Sequence, residues 1–340
     1  MTSQYMEDIV KQARISGAKA TIVTLCISGL LAGLGAWLYI DSREEPDFCR
    51  QLLRHERVST ALGAEHESGL SCAELGVAIE RATTGARPGQ QSLAQAQAMK
   101  DVLVAMDDVI GEDPAPLDQQ LTGPVSVALT SYAEDISAIL VPGDVEYVRH
   151  ALPSYEAWKD SEGAHMSVSR DALVRIMTSL SVDPEAYANL RDAVTRQVTQ
   201  KFATAPRSKS EDALSPYPSI TAWALGSMDA VAHAAREETG EDKRDSWEEK
   251  VLTRLSSGTT APVPSFEDDP AGHLVASWKG TLPSDSPDDL LEVLEAQSTE
   301  LVRVWTTALG TSSTVQASLV DDARDRAWSA QRSTLRDLRG

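Results

Sequence analysis

Two patterns of apolar and polar positions divide the chain. Residues 20–40, ATIVTLCISGLLAGLGAWLYI, lie between Lys19 and Asp41 and carry no charge over 21 positions. Beyond them the apolar residues recur at three- and four-residue spacing, the period of amphipathic helices. In DFCRQLLRHERVSTALG the pattern predicts one or two short helices ending at Gly63. Ser71 and Glu74 form a capping box that opens a helix to about Arg81. Ser92 opens another, with Leu93, Ala96, Met99, Leu103, Met106 and Ile110 on one face. A helix after Pro124 carries Val125, Leu129, Tyr132, Ile136 and Ile139, and a short one follows Asp144. The residues before Ser169 read as a polar loop, and Ser169 caps the next helix. Asp183-Pro184-Glu185 combines an N-cap, a proline at the first helical position and an acid in the first turn. Ser219 reads as the cap of a helix with Ile220, Trp223, Leu225, Met228 and Val231. After a charged break comes a short helix from about Ser246. Residues 286–289 start a long helix to Leu309, and a last helix with alternating charges spans about Thr314 to Leu338. No period-two strand pattern persists, so the expected class is all-α: a single N-terminal transmembrane helix followed by an irregular multi-helix bundle.

The uncharged run is long enough for a membrane helix, since at about 1.5 Å per residue it spans roughly 30 Å. Trp37 and Tyr39 stand at its outer end, where aromatic rings favour the headgroup boundary. A cleaved signal peptide, with Gly33 and Gly35 preceding a cut before Ala36, is the alternative. The run exceeds the usual ~7–15-residue apolar region of such signals, which favours an uncleaved anchor. Gly29 and Gly33, extended by Ala32 and Ala36, put small residues four apart, the spacing of a packing face for a membrane homodimer. Basic residues flank the run almost evenly, so the positive-inside rule does not orient it.

Cysteine usage does bear on orientation. Cys26 lies in the run, and Cys49 and Cys72 are the two that follow it. An even pair close in sequence, after an export signal, reads as a disulfide and places the bulk of the chain outside the cytoplasm with the N-terminus inside. Two free thiols in a cytosolic protein are the alternative. The spacing does not suit structural zinc. The expected organisation is therefore a cytoplasmic tail over 1–19, the transmembrane helix over 20–40 and a Cys-paired helical unit over 41–82. A main helical domain over 92–255, a linker over 256–272 and a C-terminal helical hairpin over 273–340 complete it.

A formal net charge of −20 disfavours binding to nucleic acid, whose phosphates such a surface repels. No phosphate-binding loop, dinucleotide fingerprint, nucleophile elbow or zinc-protease motif is present. The sequence therefore nominates no catalytic, cofactor-binding or metal-ligating residue, and no cofactor is expected. His233 and Glu237, four apart on a helix, read as an ion pair. Trp223, Trp305 and Trp328 read as core residues, and Trp158 and Trp278, in less regular stretches, as possible partner anchors.

The stretch containing Cys49 and VSTALG, with Cys72 after it, resembles the Cys-paired start of actinobacterial exported proteins. Residues 166–236, through DPEAYANLRDAVTRQVTQ and ALGSMDAVAHAAREE, resemble helical regions of large actinobacterial proteins associated with type VII secretion and polymorphic toxins. The resemblance implies an exported helical scaffold and carries over no catalytic residue. The expectation is a single-pass membrane protein. It meets lipid through residues 20–40 and presents an extracytoplasmic scaffold or adaptor to an unidentified envelope or secretion-related protein partner. An envelope hydrolase with an unrecognised carboxylate site, or a regulator with a cytoplasmic helical domain, are the alternatives.

Overall fold

The computed structural model describes residues 47–87, 89–111, 116–257, 262–283 and 290–339. The expected membrane helix, with Gly29, Ala32, Gly33, Ala36, Trp37 and Tyr39, lies outside them, as does the helix start at 286–289. Among the described residues no helix is long and apolar enough to cross a membrane. The fold is mostly helical, as the spacing predicts. The chain divides into two units, Met1–Arg50 and Gln51–Gly340. The first is described at residues 47–50 alone.

The Cys-paired segment folds as α1 (Asp47–Arg54), α2 (Glu56–Leu62) and α3 (Cys72–Thr83). The capping box forms: Ser71 Oγ accepts from Glu74 N–H, and the Glu74 carboxylate accepts from Ser71 N–H at 2.9 Å. Cys49 and Cys72 are disulfide-bonded. Next come α4 (Leu93–Ile110), α5 (Gln119–Thr130), α6 (Ala133–Leu140) and α7 (Val145–His150). Helix α5 starts at Gln119, capped by Asp118, and not after Pro124. Pro124 is tolerated inside it where α3 comes close. A Cβ on Gly76 of α3 would lie 3.1 Å from Pro124 Cγ and 3.2 Å from Gln120 O, the carbonyl that proline leaves without its helical donor. Leu93, read as part of the apolar face of α4, is exposed at the first helical position.

The stretch read as a polar loop before Ser169 contains a two-stranded hairpin, β1 (Trp158–Lys159) and β2 (Ala164–His165). It is too short to show a period of two. The helices continue as α8 (Arg170–Ser181), α9 (Pro184–Thr204), the single turn α10 (Glu211–Leu214), α11 (Pro216–Thr239) and α12 (Arg244–Ser256). Helix α11 begins at Pro216, which serves as its first residue, three positions before the expected Ser219. Then follow α13 (Pro270–Lys279), α14 (Leu290–Glu295), α15 (Gln297–Leu309) and α16 (Ser313–Asp337). The expected long helix to Leu309 is thus interrupted at Ala296.

Helix α9 is the centre of the packing within Gln51–Gly340. It touches α5, α6, α8, α11, α12 and α13. Its sequence explains this, since Tyr187, Leu190, Val194, Val198 and Phe202 are all buried, as are the polar residues Arg191, Thr195 and Thr199. Helix α16 lies along α11 in the most extensive helix pair of the fold. Gly226 makes that approach possible: a Cβ there would sit 2.1 Å from Ala327 O, well inside contact distance.

The buried polar residues of α9 organise the core. Arg191 is fully buried and uses its whole guanidinium. Nη1 donates to Asp229 Oδ1 at 2.5 Å, Nε to Gln297 Oε1 at 2.7 Å, and Nη2 to Leu294 O at 2.9 Å. Gln297 Nε2 in turn donates to Thr195 Oγ1 at 2.9 Å. The interruption at Ala296 thus sits between two of the groups that Arg191 engages. Burial pushes the Asp229 carboxyl up to about 6, against the opposing pull of Arg191. A buried charge left without its partner costs far more than a matched apolar replacement of both. Arg191→Met is therefore expected to destabilise the chain by about 3–5 kcal/mol in urea unfolding, and Arg191→Met with Asp229→Leu to recover most of that loss. A double variant no more stable than the single one would refute the pairing as the source.

Candidate site: an acidic, aromatic-walled cavity at the hairpin

Convergent chemistry meets at a cavity of about 540 Å³. Five parts of the chain wall it. Helix α6 and the turn after it supply Glu134, Ser137 and Pro142, and α7 with its cap supplies Asp144, Glu146 and Tyr147. The hairpin adds Trp158, Asp160, Glu162 and His165; α9 and α11 add Lys201, Tyr217 and Thr221.

The hairpin is held in place from both sides. Its turn closes on Asp160, whose Oδ1 accepts from Glu162 N–H at 2.7 Å and Gly163 N–H at 3.1 Å. On the far side, polar residues of α4 reach across. Gln97 Oε1 accepts from Ala157 N–H at 2.7 Å. The fully buried Lys100 donates to His150 O and, at 3.0 Å, to Leu152 O. Burial lowers the Lys100 ammonium to about 8. His150 then stacks on Trp158 with ring centres 4.4 Å apart, and Tyr147 meets Trp158 edge-on at 4.9 Å.

His165 is gripped by two carboxylates. Its Nδ1 lies 2.8 Å from Asp135 Oδ1 and its Nε2 3.0 Å from Asp160 Oδ1. The hydrogen bond to buried Asp135 is the main reason the imidazole is raised to about 9, burial opposing it. Asp135 is satisfied in turn: Tyr147 Oη–H donates to its Oδ1 at 2.6 Å and Met166 N–H to its Oδ2 at 3.2 Å. Burial, first, and then Asp135 raise the Tyr147 phenol. At neutral pH His165 is therefore an imidazolium donating from both nitrogens. It has no lone pair for base catalysis or metal ligation.

The remaining acids are less committed. Asp144 caps α7, and Glu146 pairs with Arg149 at 3.2 Å. Glu134 is raised mainly by burial; the Lys201 ammonium at 3.7 Å opposes the shift, and the nearby Glu162 carboxylate adds to it. Among the described residues, no group of three or more His, Cys, Asp or Glu is placed to hold a metal ion.

Of the residues singled out in the sequence, Cys49 and Cys72 come together. Trp158 lines the cavity, as a half-buried wall. Trp278, weighed in the sequence as an alternative anchor, is 1% exposed in the core. Trp328, expected in the core, is 56% exposed, with the Arg332 guanidinium 4.4 Å above its ring, because it faces away from α11. His233 does not pair with Glu237. Its Nε2 meets Glu295 Oε1 at 2.8 Å across the fold, and Glu237 lies 3.9 Å from Arg339. The His165 cluster was not foreseen, because its carboxylates come from α6 and the hairpin turn. The available signal was Asp135, an acid adjoining Tyr132, Ile136 and Ile139 on an otherwise apolar face.

The chain matches no family model, no curated protein and no solved structure.

The His165 shift has a definite sign. A folded value of about 9 against an unfolded value near 6.5 gives stability that is complete below pH ~6.5 and lost as pH rises through 9. Because Asp160 is half exposed, screening reduces the contribution to about 2 kcal/mol. Lys100, lowered to about 8, adds the opposite slope above that pH. The difference in urea midpoint between the wild type and His165→Gln isolates the histidine, and it is expected to shrink between pH 6.5 and 9. A difference constant across that range would contradict the assignment.

Proposed function

We propose that the chain is a single-pass membrane-anchored protein whose extracytoplasmic helical body serves as a scaffold or adaptor for a partner at the cell envelope. The Cys49–Cys72 disulfide carries the reading. Such bonds form and persist in oxidising compartments, and this one follows directly on an uncharged 21-residue run. The same bond supports an N-terminus inside and the body outside. The acidity of the chain supports a protein partner over nucleic acid. Residues 273–340 are proposed as a C-terminal hairpin that depends on α11 for its buried face.

A second reading, an envelope hydrolase, draws on Glu134 and Glu162 lining one cavity.

Protease shaving of intact cells, with a tag at each terminus and a cytosolic control, tests the topology. Loss of the C-terminal tag with the cytosolic control protected is the expected result. A C-terminal tag protected until lysis would overturn the reading and favour the regulator with a cytoplasmic domain.

A further inference from the structure

We infer that the groove over the outer face of α9, between α5 and α12, binds a peptide segment carrying two acidic side chains. The inference rests on the adaptor reading and deepens it by naming what the partner presents.

The groove has a volume of about 440 Å³ and follows one stripe of α9, from Asn189 through Asp192 and Arg196 to Gln200. That stripe rises about 16 Å, the length of roughly five extended residues. Two arginines are held along it. Arg196 Nε donates to Asp192 Oδ2 at 2.8 Å, and Arg254 of α12 reaches in to donate from Nε to Asn189 Oδ1 at 2.9 Å. Asn189 and Asp192 stand about one helical turn apart on the same face, so the two guanidiniums lie side by side. Each is oriented through Nε alone. Neither donates from Nη to any described residue, so both forks are open to bidentate pairing with a carboxylate.

A second, independent observation is the balance of charge. Asp192 is the one acid among the described lining residues, and the largely buried Lys279 ammonium already lies 2.8 Å from its Oδ1. Arg196 therefore adds a cation to a carboxylate that Lys279 has neutralised, and Arg254 adds another with no carboxylate of its own among the described residues. A chain of net charge −20 thus keeps a local surplus of positive charge in this groove. Charge interactions decay over about 8 Å at physiological ionic strength, so an incoming acid meets these arginines rather than the distant carboxylates. The rest of the groove suits a peptide. Val127, 46% exposed, offers an apolar contact, and the Gln197 and Gln200 amides offer donors and acceptors to a peptide backbone.

Microscale thermophoresis of the purified full-length chain, dye-labelled on a terminal tag and held in detergent, tests this. The probe is the tetrapeptide Glu-Leu-Glu-Leu, acetylated and amidated at its ends. The same peptide with Gln for Glu is the neutral control, and glycerol phosphate is the competing anion. Binding of the acidic peptide with a Kd of about 1 mM or tighter is expected, with the control at least about tenfold weaker. Arg196→Gln and Arg254→Gln should each weaken it about fivefold or more, whereas Arg332→Gln, which removes an exposed cation on α16, should not. Both groove arginines are exposed, so these variants keep the fold. Tighter binding of glycerol phosphate than of the peptide would overturn the inference in favour of a phosphate ligand such as a lipid headgroup. No response to the acidic peptide up to about 10 mM, equal binding of the control, or affinities unchanged in both groove variants would overturn it outright. None of these results bears on topology, which protease shaving tests separately.

Discussion

The buried Arg191–Asp229 pair is the constraint on which the main body depends. A guanidinium cannot be left unpaired in a core, so every element that touches it is fixed relative to α9. Asp229 fixes α11, Leu294 fixes α14, and Gln297 fixes α15. Helix α11 also takes α16 at close range, through Gly226. The same two helices, α9 and α11, then contribute Lys201, Tyr217 and Thr221 to the cavity. The polar centre of the core and the candidate site are thus two ends of one framework.

Most of the secondary structure was legible in the sequence, because it depends on local chemistry. Ser71 with Glu74, Ser92, Ser169 and Asp183-Pro184 each act as caps in the structure. What sequence reasoning missed depends on distant partners. Pro124 reads as a helix start, yet the helix runs through it where Gly76 leaves room. The break at Ala296 has no local signal, and it lies where Arg191 reaches in from 105 positions earlier in the chain. Trp328 was misjudged because a single aromatic on a mixed-charge helix does not say which face meets α11.

The site was less legible than the fold. His165 lies in a stretch with no regular period, and its two carboxylates come from separate elements. Arg191 and Lys100, the two buried cations that fix the framework, read in the sequence as ordinary polar positions on amphipathic helices. Buried polar residues are where local patterning fails, since only their three-dimensional partners make them tolerable.

We propose that this helical body matures outside the cytoplasm, cross-linked by Cys49–Cys72 close to the proposed membrane anchor. The redox state of Cys49 and Cys72 in living cells tests it most directly. Acid quenching, alkylation of free thiols under denaturing conditions and mass measurement of the peptides would give it. The account predicts that both cysteines escape alkylation until a reductant is added, then react together. Both cysteines alkylated without reductant would contradict it and place the body in a reducing compartment.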